Sequence, residues 1–342
     1  MTTLASGTSA LAVGGATTGQ EKLDTPSRDA LGELLPLRRL GRTGEMVTML
    51  GIGGFHVGWT GEKDAAEVIE AALEGGIRFF DTAESYQKGE SERRYGKYLI
   101  PKYREHIFLM TKTQARNAKV AQEHLEGSLR RMKTDYLDLW QIHSVRNPED
   151  VDARLEEGVL EVVQKAKEQG KVRHVGFTGH SNPESLLRML DKTAGIDPFD
   201  TCQMPVNALD LSYHSFVEQV ITRLQERDIG LLAMKTLADG RFFGVKTNLK
   251  RGVVWRSDDP VIPNRLSIRD ALHFAWSLPV SVLITGAENA SLVREKVDMA
   301  KTFTGMDEEA RRDLVNRVLD LADGKVEYYK RPVKASSTEP AA

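Results

Sequence analysis

Apolar and polar positions along this chain follow two patterns that take turns. Stretches such as KDAAEVIEAALEGG, ESERRYGKYL, KVAQEHLEGSLRRM and GVLEVVQKAKEQG place apolar residues at i, i+3 and i+4. PESLLRML, FVEQVITRLQERD, SIRDALHFAWS and ASLVREKVDMAKTF do the same. That spacing predicts helices with one buried face, and glycines such as Gly75 and Gly170 stand where such helices stop. Between them lie short apolar runs that read as buried strands. The first is near 49–53, and the others end near Asp81, Thr111, Ile142, Phe177, Pro205, Lys235 and Thr285. As far as Lys235 the strand ends recur about every 30 residues, the length of one strand–helix unit. Eight such units with right-handed crossovers predict an α/β protein of the (β/α)8 TIM-barrel type. A doubly wound sheet would carry G-x-G-x-x-G after its first strand. Here Gly51-Ile52-Gly53-Gly54-Phe55-His56 lacks the third glycine.

The flanks complete the plan. LPLRRLGRTGEMVTMLGIGGF reads as an N-terminal β-hairpin turning at Arg42-Thr43-Gly44, with Arg38, Arg39 and Arg42 on a solvated surface. RFFGVKTNLKRGVVWRSDDPVIPN fills the longest gap and is expected as a loop over the barrel mouth. DEEARRDLVNRVLDLADG predicts an extra C-terminal helix. The barrel is thus expected over 34–325, with 326–342 a C-terminal tail whose last stretch, KASSTEPAA, frays. Residues 1–33 are rich in small side chains and predict a disordered tail. They also suit the remnant of an export signal without its basic start, since no Lys or Arg precedes Lys22.

Composition narrows the partners. With 40% hydrophobic and 28% charged residues among 342, the chain has the make-up of a soluble globular protein. A net charge of −2 gives no electrostatic reason to expect nucleic acid or an anionic membrane. No apolar run approaches the ~18 residues of a membrane-spanning helix. The single cysteine, Cys202, excludes a disulfide framework and is expected to pack inside strand six. No H-E-x-x-H, Walker loop or His–carboxylate cluster is present, so no metal is expected. A cytoplasmic location is expected as the sequence stands, or export in the folded state if a twin-arginine start stands upstream. The pairs Arg93-Arg94 and Arg130-Arg131 fall on helices and are expected at the surface.

Chemistry enters at the strand ends. Asp81, Lys112 and His143 close three successive apolar runs, and Tyr86 follows Asp81 in the loop. Barrel strands lie about 4.8 Å apart, which brings the four together at the carboxyl rim. A phenol with its ordinary pKa of ~10 is a poor proton donor at neutral pH. A neighbouring ammonium favours the phenolate and lowers that pKa, and an aspartate keeps the ammonium charged. A histidine N–H can then orient and polarise a carbonyl oxygen. The four suit protonation of a carbonyl while hydride arrives from elsewhere, which implies a nicotinamide cofactor. His56 and Trp59, after the first strand, are expected to line the substrate pocket with Phe55.

FFDTAESY, FLMTKT, LDLWQIH, GKVRHVGFTGH, QMPVNALD and GLLAMKTL stand in the order and spacing of one family. Over roughly residues 37–305 the chain resembles the aldo-keto reductases, and most of all a bacterial, uncharacterised branch. The resemblance implies a barrel without a Rossmann domain that binds nicotinamide cofactor in extended form. It implies reduction of an aldehyde or ketone, or alcohol oxidation in reverse. Tyr86 would be the general acid/base, Lys112 its pKa modulator, Asp81 the lysine's partner and His143 the orienter of the carbonyl. Implied cofactor contacts are Gly53, Asp81, Thr178, Gln203, Met234, Lys235, Leu237, Thr285, Gly286, Glu288 and Lys296. Gly179 stands where an Asn is common, and Met234 where an aromatic usually stacks on the nicotinamide. Basic residues that would pair a 2′-phosphate are missing near Gly286 and Leu292, and Glu288 can instead hold a free ribose hydroxyl, the logic for NAD. Arg294, Lys296, Lys235 and Arg241 supply positive charge, so NADP(H) is expected and NAD(H) is the alternative. Two rival functions are a cofactor-binding redox-sensor subunit with little turnover, and a sugar-modifying enzyme that recycles its nicotinamide.

Overall fold

A computed structural model of the chain describes residues 26–240, 242–243, 246–248, 252–255, 262, 264–321 and 327–330. Residues 1–25, Arg241, much of the stretch expected to cover the mouth, and 331–342 lie outside the described residues.

Eight parallel strands close into a barrel. They are β1 (Leu50–Gly53), β2 (Phe79–Asp81), β3 (Phe108–Thr113) and β4 (Leu137–Val145). They continue with β5 (Val172–Gly179), β6 (Thr201–Pro205), β7 (Gly230–Met234) and β8 (Val282–Thr285). Each strand bonds to the next in order, and β8 closes onto β1 through Leu283 opposite Leu50. The expected (β/α)8 barrel, hairpin and C-terminal helix are all present.

Side chains alternate across a strand, and the register decides which line the barrel axis. Phe79, Phe108, Met110, Leu139, Leu232, Val282 and Ile284 form an inner apolar cluster. Leu40 and Val47 of the hairpin Leu37–Arg39/Met46–Thr48 close it from below. The opposite faces, among them Leu109, Trp140, Phe177, Cys202 and Leu283, pack outward against the helices, which places Cys202 as expected. Two residues above the inner cluster the same parity delivers Asp81, Lys112, Gln141 and His143. Gln203, paired with Leu232, joins them from β6. The axis is therefore greasy below and polar above. At Gly176, opposite Gln141 and Thr201, a Cβ would overlap Thr201 Oγ1, so only glycine lets the strands close there.

The structure departs from the pattern reading in several places, mostly where short segments are fixed by distant ion pairs. The stretch 26–33, expected in a disordered tail, carries a two-stranded turn pairing Arg28–Asp29 with Gly32–Glu33. Asp29 takes both arms of Arg78, at 2.7 and 2.9 Å. Arg38 is not on a solvated surface: it donates to Val280 O and Trp276 O; Arg39 and Arg42 are exposed as expected, Arg42 while donating to Phe199 O. Burial pulls the Arg38 guanidinium down to about 10. Arg94 is buried as well, donating to Val57 O and, at 3.0 Å, to Thr60 O. Arg131 is half-buried on Glu92, at 2.6 Å. Two helices were not anticipated, Gly54–Trp59 and Pro148–Glu156. The expected C-terminal tail is, at 327–330, a buried turn against the loop after β6, where Lys330 Nζ donates to Asp210 Oδ1 at 2.6 Å and Glu327 Oε2 lies 2.8 Å away; the stretch expected to fray, 334–342, lies outside the described residues. No helix among the described residues is long and apolar enough to cross a membrane.

Candidate active site

Lys112 organises the polar layer. Its ammonium donates to Asp81 Oδ1, to Thr82 O at 2.7 Å and to Tyr86 OH at 3.2 Å. All three protons are used, and the side chain is buried. Asp81 Oδ2 accepts from Gln203 Nε2 at 2.9 Å, so the carboxylate is held from two sides. Burial pulls the Lys112 ammonium down, but Asp81 and the Tyr86 oxygen more than reverse this and leave it above the ordinary lysine value. Burial raises Asp81, with Lys112 and Gln203 opposing in part. The lysine is thus a fixed cation that its partner keeps charged.

Tyr86 corrects the expectation built from spacing. Burial raises the phenol, Lys112 lowers it, Asp81 raises it again and Lys235 lowers it, with a net value above the ordinary 10. Lys112 therefore offsets part of the desolvation instead of bringing the pKa below its usual value. His143 is driven well below the ordinary imidazole value, first by burial and then by Lys112 and His180. It is neutral at neutral pH. Its Nδ1 is buried without a hydrogen bond among the described residues. An orphan N–H is rarer than an orphan lone pair, which puts the proton on Nε2.

Aromatic rings run in a row along the mouth. Phe55 meets Tyr86 edge-on at 5.5 Å, Tyr86 meets His143 at 5.8 Å, and His143 meets His180 at 6.0 Å. Backbone strain gathers behind the same residues. Gln87 and Lys88 after Tyr86, Ser144 after His143, and Lys235 after Met234 all have positive φ, between 52 and 56°. Such non-glycine residues cost about 1–3 kcal/mol each and cluster where a side chain must be aimed.

The expected cofactor residues divide into two groups. Gln203, Thr178 and Met234 sit on the inner face of β5, β6 and β7 around Asp81. Gln203 Oε1, and Thr236 Oγ1 just past β7, are buried without hydrogen-bond partners among the described residues, which suits an amide or phosphate ligand. Thr178 Oγ1 accepts from Ser144 N at 2.8 Å. Gly53 ends β1 with Ile284 and Thr285 beside it. The second group surrounds the end of β8. Lys296 Nζ donates to Gly286 O at 3.2 Å, and Glu288 lies 3.5 Å from His56 Nε2. A Cβ on Gly286 would overlap the His56 ring. His56, expected in the substrate pocket, thus stands with the second group, and Trp59 stacks edge-on behind it at 6.1 Å. Of that expected trio, Phe55 meets Tyr86. Leu237 is half-buried against the core, Lys235 Nζ lies 3.1 Å from Tyr328 OH, and Arg294 points outward to Glu74. Spacing did not signal Gln203 as a clamp on Asp81, because only the closed barrel brings β2 and β6 within reach across the axis.

A barrel whose mouth holds a lysine between a carboxylate and a phenol, beside a neutral imidazole, defines a carbonyl oxidoreductase that uses nicotinamide. The chain belongs to the aldo/keto reductase family, whose family model matches residues 49–307. Among curated relatives it is 32% identical over 209 residues to aldo-keto reductase YhdN of Bacillus subtilis, covering 57% of this chain and 59% of that protein. Among solved structures, the holo form of aldo-keto reductase AKR11C1 from Bacillus halodurans superposes with a TM-score of 0.66 at 23% identity, covering 83% of this chain and 96% of that one. An aldo-keto reductase from Klebsiella pneumoniae in complex with NADPH gives 0.63 at 21%, covering 90% and 100%. At these identities the structures speak to the fold.

Proposed function

We propose that this protein is an NAD(P)H-dependent reductase of small-molecule aldehydes or ketones that also oxidises the corresponding alcohols. The observation that carries the reading is Lys112, whose one ammonium is shared between Asp81 and the Tyr86 hydroxyl. A bound nicotinamide supplies the hydride. His143 Nε2 donates to the carbonyl oxygen and fixes its orientation. Tyr86 OH gives its proton to that oxygen as negative charge develops there, and Lys112 stabilises the phenolate left behind. The raised phenol pKa keeps the donor protonated at neutral pH, which favours the reductive direction.

For the cofactor, NADP(H) is the first reading. Its support is the Lys296 ammonium beside Gly286 at the end of β8, together with the NADPH held by the Klebsiella protein of like fold. The Glu288 carboxylate in the same place favours NAD(H), because an acid there accepts from a ribose hydroxyl and repels a phosphate. Fluorescence titration with NADPH and NADH, followed by oxidation of the bound nucleotide against a carbonyl panel, tests both. Saturable binding, tighter for NADPH, with turnover of at least one carbonyl is expected. Tight binding without turnover would favour the redox-sensor alternative, and absence of binding would overturn the whole reading.

A further inference from the structure

Glu92 is a buried charge that the chemistry above leaves unused. It stands in the helix Glu90–Arg94, which follows the Tyr86 loop, and it is fully enclosed. Its Oε1 accepts from Thr111 Oγ1 at 2.6 Å, and its Oε2 from Arg131 Nε at 2.6 Å. Thr111 is the residue before Lys112 on β3, and Arg131 comes from the last turn of the helix Ala118–Met132. The carboxylate therefore ties the segment that carries the phenol to the strand that carries the ammonium. Hydrogen bonds to a charged acceptor are the strong kind.

Arg131 also lies against the turn itself. Gln87, Lys88 and Gly89 follow Tyr86 without a break, and all have positive φ, at 52, 55 and 81°. Glycine takes that conformation freely, but Gln87 and Lys88 hold it under strain. A Cβ on Gly89 would come 2.7 Å from Arg131 Cδ and Nε, and one on Gly127 would come 2.8 Å from Arg131 Nη1. The two glycines leave a slot, and the arginine side chain fills it behind the turn. Arg93 adds an exposed bond to Lys88 O at 3.0 Å.

We infer that Glu92 and Arg131 are positioning residues, a pair that braces the strained turn so that the Tyr86 hydroxyl stays within 3.2 Å of the Lys112 ammonium. They act through Tyr86. A reacting group displaced by about 1 Å can cost a hundredfold in rate, so the brace acts on turnover and not on binding. This inference rests on the reductase reading and adds two residues to it.

Removing one partner alone strands the other charge, so the test removes both, as Glu92→Gln with Arg131→Met. The glutamine oxygen can still accept from Thr111. With a carbonyl that the wild type reduces, kcat is expected to fall by about ten- to a hundredfold, with KM and the cofactor Kd within about twofold. Adding Lys88→Gly removes strain at an exposed position. It should raise kcat of the double variant by about fivefold or more, while alone it leaves the wild-type kcat within about twofold. An unchanged kcat in the double variant, or a loss that Lys88→Gly does not relieve, overturns the inference and leaves the reductase standing. Loss of fold or of cofactor binding in the double variant marks the pair as merely structural and overturns it as well. A wild type inert toward every carbonyl overturns both readings.

Discussion

At Tyr86 burial and charge act against each other, and burial wins. A phenol above its ordinary value remains the protonated donor throughout the neutral range. Reduction should therefore hold level and decline only above pH ~10. Alcohol oxidation needs the phenolate and should climb across the same alkaline range. On the acid side, His143 lies well below the usual imidazole value, so no loss centred near pH 6.5 is expected. Initial rates in both directions across pH check this, and an acid limb centred near 6.5 would contradict the neutral His143. Asp81, Tyr86, Lys112 and His143 were legible because a strand's carboxyl end is marked by where its apolar run stops, and because alternate residues share the inner face. The direction of the Tyr86 shift was not legible. Desolvation depends on how deeply the ring sits, and spacing carries no information on depth. Gln203 was expected only through the resemblance, as a cofactor contact, and its hold on Asp81 was not legible.

Among the elements, the short ones carried the surprises. The helix Gly54–Trp59 has two glycines and too few residues for a periodic face, so it did not read as a helix. It exists because Arg94 draws together the carbonyls of Val57 and Thr60 at its end, and it is this helix that brings Phe55 to Tyr86. The turn at 327–330 has no periodicity either. Its place is set by Lys330, whose buried ammonium meets Asp210, Glu327 and, at 2.7 Å, Tyr213 O. Lys330→Met leaves two carboxylates buried without their cation, and unfolding by denaturant should show a loss of about 3–5 kcal/mol. Glu327 already sits above its ordinary value, through burial and then Asp210. A carboxyl raised in the folded state stabilises while protonated and loses that contribution as pH rises. The variant should thus be hurt more at pH 8 than at pH 5. An equal deficit at both would contradict the buried-charge account.

For the whole molecule, the eightfold recurrence of strand ends was the legible feature, since a closed barrel requires one strand and one return helix in each repeat. What the repeat could not reveal lies at its two ends. The turn at 28–33 is tied to Arg78, and the turn at 327–330 to the loop after β6, each by ion pairs across long sequence separations. The closed shape also explains the chemistry's position. Apolar side chains fill the lower axis, so the charged pair Lys112–Asp81 can sit only in the upper layer, within reach of the mouth. The account's central claim is that the Tyr86 hydroxyl, held by Lys112, delivers the proton. The most direct measurement is single-turnover oxidation of bound nicotinamide in wild type and Tyr86→Phe, with the cofactor Kd determined in parallel. The account predicts a rate lower by about 10²–10⁴ at an unchanged Kd. An unchanged rate would contradict it.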